Sequence, residues 1–216
     1  MSDCCTPKGY QRIFSSKSAR AEADRYRRSG LDRTSRRIVE FLKRYGVDGL
    51  TLLEVGGGIG AIQIELLKAG ATRAVSVELT PTYEEAAGEL LREAGLTDRV
   101  ERRVIDFTQA GVEVKSAGVV VLNRVLCCYP DMPKLAVAAA GHAEKVLVMS
   151  FPRDTWWMRV GLGLANIALW IARREFHIFV HSPDQIVAVA KLHGLRITLN
   201  RPGFVWQIAA LERVAA

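Results

Sequence analysis

Residues 51–60 read TLLEVGGGIG, an apolar run followed by four glycines in five positions, and residues 61–68, AIQIELLK, continue it. The pattern predicts a buried strand, a tight turn and a helix, because glycine alone adopts the left-handed backbone such turns require. A turn of this kind brings backbone N–H groups up to a nucleotide-like ligand at a helix N-terminus. Outward from it the same alternation repeats. Strand signals cover 74–79, 100–105, 117–122 (AGVVVL) and 145–151 (KVLVMSF). Helical signals cover 81–94, with Pro81 in the first turn and Gly95 beyond the end, and 131–142. The wholly apolar AGVVVL suits a central parallel strand covered on both faces. After a helix over 183–193, LRITLN and FVWQIAAL flank the turn RPG and form an antiparallel hairpin. The expected fold is therefore α/β: a doubly wound, seven-stranded, mostly parallel sheet with an antiparallel last strand and helices on both faces.

The 216 residues are 49% hydrophobic and 25% charged, an ordinary globular balance with no repeat or low-complexity tract. The net charge of +7 is confined to one end. Residues 1–44 hold twelve Lys and Arg against five Asp and Glu, and the remainder holds eighteen of each. The chain accordingly divides into a basic helical arm, 1–45, and a main domain, 46–216. One or two helices are expected over 15–45, with Ile38, Val39, Phe41 and Leu42 docking on the core. A basic arm suits nucleic acid, an anionic membrane surface, an acidic substrate or plain solvent. The polar start MSDCCTPKGYQR has no apolar signal-peptide core, and the cysteines come as two adjacent pairs, Cys4-Cys5 and Cys127-Cys128. A reducing cytoplasm is the expected compartment, with peripheral membrane contact as an option.

Three ligand classes compete for the glycine turn. A triphosphate loop needs Gly-Lys-Ser/Thr, and Ile59-Gly60-Ala61 offers neither the lysine nor the hydroxyl. Gly56, Gly58 and Ala61 satisfy the dinucleotide spacing, and Glu78, followed by Leu79, stands where a ribose would donate its hydroxyls. Glu54 tilts the choice. It completes E-x-G-x-G-x-G through Gly60, and a carboxylate there repels a pyrophosphate but suits a ligand bearing an ammonium and a sulfonium. In VIDFT, Asp106 is placed to accept from an adenine amino group, with Phe107 beside the ring. Nothing after the sheet is large enough for a separate substrate domain.

LLEVGGGIG, SVEL, VIDF and VVVLNRVLCCYPD, in this order, resemble the successive motifs of class I S-adenosylmethionine-dependent methyltransferases over roughly residues 35–216. The resemblance implies S-adenosylmethionine as cofactor. It places Glu54, Gly56, Gly58 and Gly60 against its methionine part, Glu78 and Leu79 at its ribose, Asp106 and Phe107 at its adenine, and Asn123 at the end of the fourth strand.

For the acceptor, the segment LNRVLCCYP lacks the Asn-Pro-Pro-Tyr/Phe of amino methyltransferases that act on bases or glutamine, which disfavours nucleic acid. Asp131 alone supplies no carboxylate cluster, so no catalytic metal is expected. The segment is loosely similar to magnesium-protoporphyrin O-methyltransferases and to quinone-ring methyltransferases. The expected activity is O- or C-methylation of a small, apolar, anionic acceptor, which needs no strong base. An RNA methyltransferase and a non-catalytic cofactor-binding module are the alternatives. Candidate acceptor-side residues are Tyr129, His181 and, as anion holder, Arg124, with Tyr10, Phe14 and Tyr26 of the arm closing over the site. The four thiols offer a soft-metal site only if the two pairs converge, and adjacent cysteines chelate one ion poorly. An apolar helical insertion covers about 154–174, with Trp156, Val160, Leu164, Ile167 and Ile171 on one stripe. It is short for a bilayer span and is interrupted by Asn166, so three readings stand: packing on the core, a lid over an apolar pocket, or a helix lying in a membrane interface.

Overall fold

The computed structural model describes residues 7–110 and 113–214. Its sheet has seven strands: β1 (Thr51–Val55), β2 (Arg73–Glu78), β3 (Val100–Val104), β4 (Ala117–Asn123), β5 (Ala143–Pro152), β6 (Leu195–Pro202) and β7 (Trp206–Arg213). The spatial order is β3-β2-β1-β4-β5-β7-β6. The first five strands pair in parallel, and β7 runs antiparallel to both β5 and β6. This is the expected seven-stranded sheet with its last strand reversed. Strand β4 lies between β1 and β5 and buries all of Ala117–Leu122, which is why its sequence is apolar without alternation.

Helices α4 (Ala61–Lys68), α5 (Glu84–Glu93), α6 (Met132–His142) and α8 (Pro183–Leu192) cover the sheet. Two expected helices start later than the pattern suggests. Residues Pro81–Tyr83 form a separate 3-10 turn before α5. Asp131 stands outside α6 and caps it, accepting from the Lys134 N–H at 3.0 Å.

The basic arm folds as α2 (Ser16–Ser29) and α3 (Arg33–Tyr45), within the one or two helices expected over 15–45, preceded by a short helix α1 (Pro7–Ile13) that was not expected. Ser15 caps α2 and Asp32 caps α3. The buried face of α3, with Ile38, Val39 and Leu42, joins one core cluster together with Leu52 and Val121 of the sheet. Ala19 and Ala23 let α2 lie close against α5. Much of the arm's charge is answered within the chain: Arg20 meets Glu85 at 3.0 Å, and Arg27 meets Glu93 at 2.7 Å and Glu89 at 3.3 Å. Exposed pairs of this kind contribute little stability singly, so buried apolar contact holds the arm and the charges orient it.

Helix α7 (Trp156–Ile171) departs from one expectation. Of the readings for its stripe, core packing is overturned. Trp156 is 77% exposed, Leu164 63% and Ile171 69%, and Met158 is the buried residue of the helix. Asn166 explains the orientation. Its amide donates to the Ile178 carbonyl at 2.8 Å and accepts from the Ile178 N–H at 2.8 Å. That two-point tie turns the polar side of α7 inward and the apolar stripe outward. The described residues contain no helix long and apolar enough to cross a membrane.

The second core cluster lies on the other face of the sheet and includes Leu53, Leu122, Leu147 and Phe151. Phe151 is fully buried near the carboxyl end of β5. Phe151→Ala is expected to cost about 3–5 kcal/mol of folding free energy, measured by urea unfolding. A loss below about 1 kcal/mol would show that the aromatic ring is not packed as described.

Candidate functional site

At the carboxyl ends of β1, β2 and β4 the glycine turn opens into a cavity of about 310 Å³. Gly56, Gly58 and Gly60 have φ of 65°, 60° and 75°, the left-handed region that penalises a side chain. Space excludes one as well. A Cβ on Gly56 would approach Val125 Cγ2 to 2.7 Å, and one on Gly57 would approach the Glu54 carboxyl carbon to 2.4 Å. The Gly56 N–H donates to the Val77 carbonyl at 2.8 Å, fastening the turn to β2.

Two buried carboxyls stand behind this turn. Glu78, at the end of β2, accepts from the Gly58 N–H at 2.6 Å. Glu54 is buried on β1, and its Oε2 has no hydrogen-bond partner among the described residues. Burial raises the Glu54 carboxyl to about 8, and the neighbouring Glu78 charge adds to the rise. Glu78 rises to about 7, again chiefly by burial, against the pull of Arg102 and the Gly58 amide. Arg102, on β3, reaches under the turn. It bonds the Gly58 carbonyl at 3.1 Å, Ser76 Oγ at 3.2 Å and Glu84 at 2.8 Å. Glu22, from α2, also lines the cavity, and burial raises its carboxyl too. The site thus gathers three acidic groups whose pKa values burial raises, an environment that favours a cationic ligand over an anionic one.

Of the residues read from sequence as cofactor-binding, Glu54, Gly56, Gly58, Glu78, Leu79, Asp106, Phe107 and Asn123 all line the cavity. Gly60 does not. It begins α4, where a Cβ would collide with the Gln63 side chain at 2.1 Å. Asp106 accepts from Thr108 Oγ1 at 2.9 Å and from the Tyr129 hydroxyl at 3.1 Å. Asn123 donates to Ser35 Oγ at 3.1 Å and accepts from Ser150 Oγ at 2.6 Å.

The three acceptor-side candidates separate. Tyr129 and Arg124 line the cavity. Arg124 has φ 63°, rare for a residue with a side chain. Its N–H donates to Ser150 Oγ at 3.0 Å, its guanidinium pairs with Asp32 at 2.5 Å, and it lies 5.1 Å over the Trp206 ring. Its charge is therefore already met within the protein, and it joins arm to sheet. Burial alone would raise Asp32, but the Ser35 hydroxyl, Arg124 and the Thr34 and Ser35 amides together hold that carboxyl below its usual range. His181 is displaced from the cofactor-side cavity. It lines a second, open cavity of about 430 Å³ between α7 and residues 177–181, and its Nε2 meets the Tyr129 carbonyl at 3.3 Å.

The arm roofs the main cavity. Tyr10, Phe14 and Tyr26 line it, and Tyr10 and Phe14 each stand edge-on to Phe176 with ring centroids 5.6 Å apart. Three consecutive carbonyls gather this roof: Cys127 accepts from the Phe179 N–H, Cys128 from the Tyr10 hydroxyl and Tyr129 from His181. Cys127 is buried and Cys128 lines the cavity. Cys4 and Cys5 lie outside the described residues, so convergence of the thiol pairs is not seen. Among the described residues no group of three or more His, Cys, Asp or Glu is placed to hold a metal ion. Sequence reasoning missed Arg102, Tyr83, Glu22 and Asp32. Each reaches the site from another part of the fold, and no local motif announces it.

A family model described as a methyltransferase domain matches residues 53–143. A ribosomal protein L11 methyltransferase from Thermotoga maritima is 42% identical over 122 residues, covering 56% of this chain and 44% of that protein. The one from Pectobacterium atrosepticum is 28% identical over 133 residues, covering 58% and 43%. The chain thus spans under half the length of these curated relatives. Among solved structures, magnesium protoporphyrin IX methyltransferase from Synechocystis PCC 6803, with bound SAH, superposes with a TM-score of 0.71 at 18% identity, covering 94% of this chain and all of that one. An O-methyltransferase family protein from Burkholderia thailandensis gives 0.69 at 20% identity, covering 94% and 64%. At such identities the likeness concerns the fold.

Burial of Glu54 has a consequence for pH. The folded protein keeps a proton on this carboxyl up to about pH 8, while the unfolded chain releases it near 4.5. Its contribution to stability is present in full below 4.5 and declines as pH rises towards about 8. Glu54→Gln is expected to flatten that decline in urea titrations of protein stripped of small molecules. Equal pH slopes in the two proteins would contradict the raised pKa.

Proposed function

We propose that the chain transfers a methyl group from S-adenosylmethionine to a small, apolar, anionic acceptor, a reading supported by the methyltransferase-domain match over residues 53–143 and by a fold shared with methyltransferases of known structure. The observation that carries the cofactor half is the glycine cradle backed by Glu54, whose Oε2 is buried without a partner among the described residues. A cationic ligand offsets what burial costs that carboxylate, and a pyrophosphate does not. When bound, the cofactor supplies a methyl group activated by a positively charged sulfur.

The residues here bind and orient rather than attack. The glycine turn admits the ligand close to the backbone. Glu78 is placed for ribose hydroxyls and Asp106 for an adenine amine. Methyl transfer is an in-line displacement in which the acceptor–carbon bond forms as the carbon–sulfur bond breaks, so alignment supplies much of the rate. An anionic oxygen or ring carbon attacks without a strong base. The aromatic roof of Tyr10, Phe14 and Phe176 supports an apolar acceptor, and its closure keeps water from the sulfur. Arg25 also lines the cavity, and its ion pair with Glu22 is looser, 3.9 Å against 2.5 Å for Arg124 with Asp32, so it is the more available guanidinium for an anionic acceptor.

A second reading has one specific observation behind it: the matches to ribosomal protein L11 methyltransferases, which favour a protein acceptor. The aromatic roof over the pocket argues for the smaller substrate.

Calorimetry with S-adenosylhomocysteine tests the cofactor half. Wild-type protein is expected to bind, Glu78→Gln to bind roughly tenfold or more weakly because a charged hydrogen bond is lost, and NAD not to bind. Tight NAD binding without S-adenosylhomocysteine binding would overturn it. Methyl-labelled cofactor offered with lysate separated into lipid, small-molecule, protein and RNA pools tests the acceptor half. Label is expected in an apolar small-molecule or lipid fraction, and label confined to protein would establish the second reading.

A further inference from the structure

Helix α7 presents a physical problem that methyl transfer leaves unsolved. From Val160 to Ala172 it carries no charged residue, yet its apolar stripe faces outward. A helix this apolar is ordinarily covered by something. Trp170 is 78% exposed, and Phe204, stacked on Trp157 at 5.2 Å, is 78% exposed as well. The patch thus extends from the helix to the β6–β7 turn.

We propose that this face is a docking surface for an anionic lipid membrane, with α7 lying flat in the interface. Three features select that occupant. Sixteen residues of helix span about 24 Å, too short to cross a bilayer but long enough to bury one apolar stripe along its surface. Trp156 and Trp170 stand near the two ends of the helix, and tryptophan favours the boundary between headgroups and acyl chains. Arg173 and Arg174 follow the helix directly, and among the described residues neither enters an ion pair. Cations at the rim of an apolar face match anionic headgroups.

The open cavity walled by Arg159, Asn166 and His181 lies on the inward side of the same helix. The docking surface itself does not depend on the methyl-transfer reading.

The full chain should co-sediment with phosphatidylcholine vesicles containing about 30 mol% phosphatidylglycerol and much less with pure phosphatidylcholine. Arg173→Ser/Arg174→Ser should lower the partition coefficient on anionic vesicles about tenfold. Leu164→Gln/Ile167→Gln should lose binding to both vesicle types, and Trp170→Ser alone should weaken it. These side chains are exposed, so circular dichroism and the melting midpoint should match wild type in all three variants. The proposal is overturned if wild type binds neither vesicle, or if it binds and the Leu164/Ile167 and Trp170 variants bind equally well. It is also overturned if sedimentation equilibrium shows a dimer that Leu164→Gln/Ile167→Gln dissolves while vesicles capture nothing.

Discussion

The hydrogen bond from the Gly58 amide to the Glu78 carboxyl, 2.6 Å long, ties the glycine turn to the sheet. The Gly56 N–H fastens the first residue of the turn to the Val77 carbonyl of β2, and the bond to Glu78 fastens the third. Arg102 completes the tie by gripping the Gly58 carbonyl from beneath while holding Glu84 at the start of α5. A carboxyl that lines the cavity is therefore also part of the scaffold, and it cannot be moved without loosening the cradle.

The arm adds a second constraint. Asp32 caps α3 and pairs with Arg124 in the strained position after β4, while Ser35 links Asp32 to Asn123. The residues that close β4 are thereby fixed by a helix that precedes the sheet in the chain. Although the arm is basic, Arg20 and Arg27 pair with α5, and what the arm brings to the cavity is aromatic rings together with the Glu22 carboxyl and the Arg25 guanidinium.

Much of the sheet was legible because its causes are local. β1 and β4 are apolar runs, the turns carry glycine, and the final hairpin has its own turn signal. Most of the residues that line the cavity beside the glycine turn were legible for the same reason: they sit within a few positions of strand ends. The rest was written in contacts between distant segments. Arg102 lies in VERRV, a polar strand at the sheet edge, and nothing in those five residues says that one arginine points under the glycine turn. His181 follows an irregular stretch whose path depends on α7, so its distance from the main cavity has no local signature. The stripe on α7 was visible as a stripe, but the side it faces is decided by the Asn166 tie to Ile178. A polar residue that looked like an interruption is the anchor.

The three carbonyls of Cys127, Cys128 and Tyr129 give one short loop three tethers, to residue 179, residue 10 and residue 181. Two segments from opposite ends of the chain, the arm and residues 179–181, thus share one short loop. A substitution that shifts any of these three peptide planes reaches both segments at once.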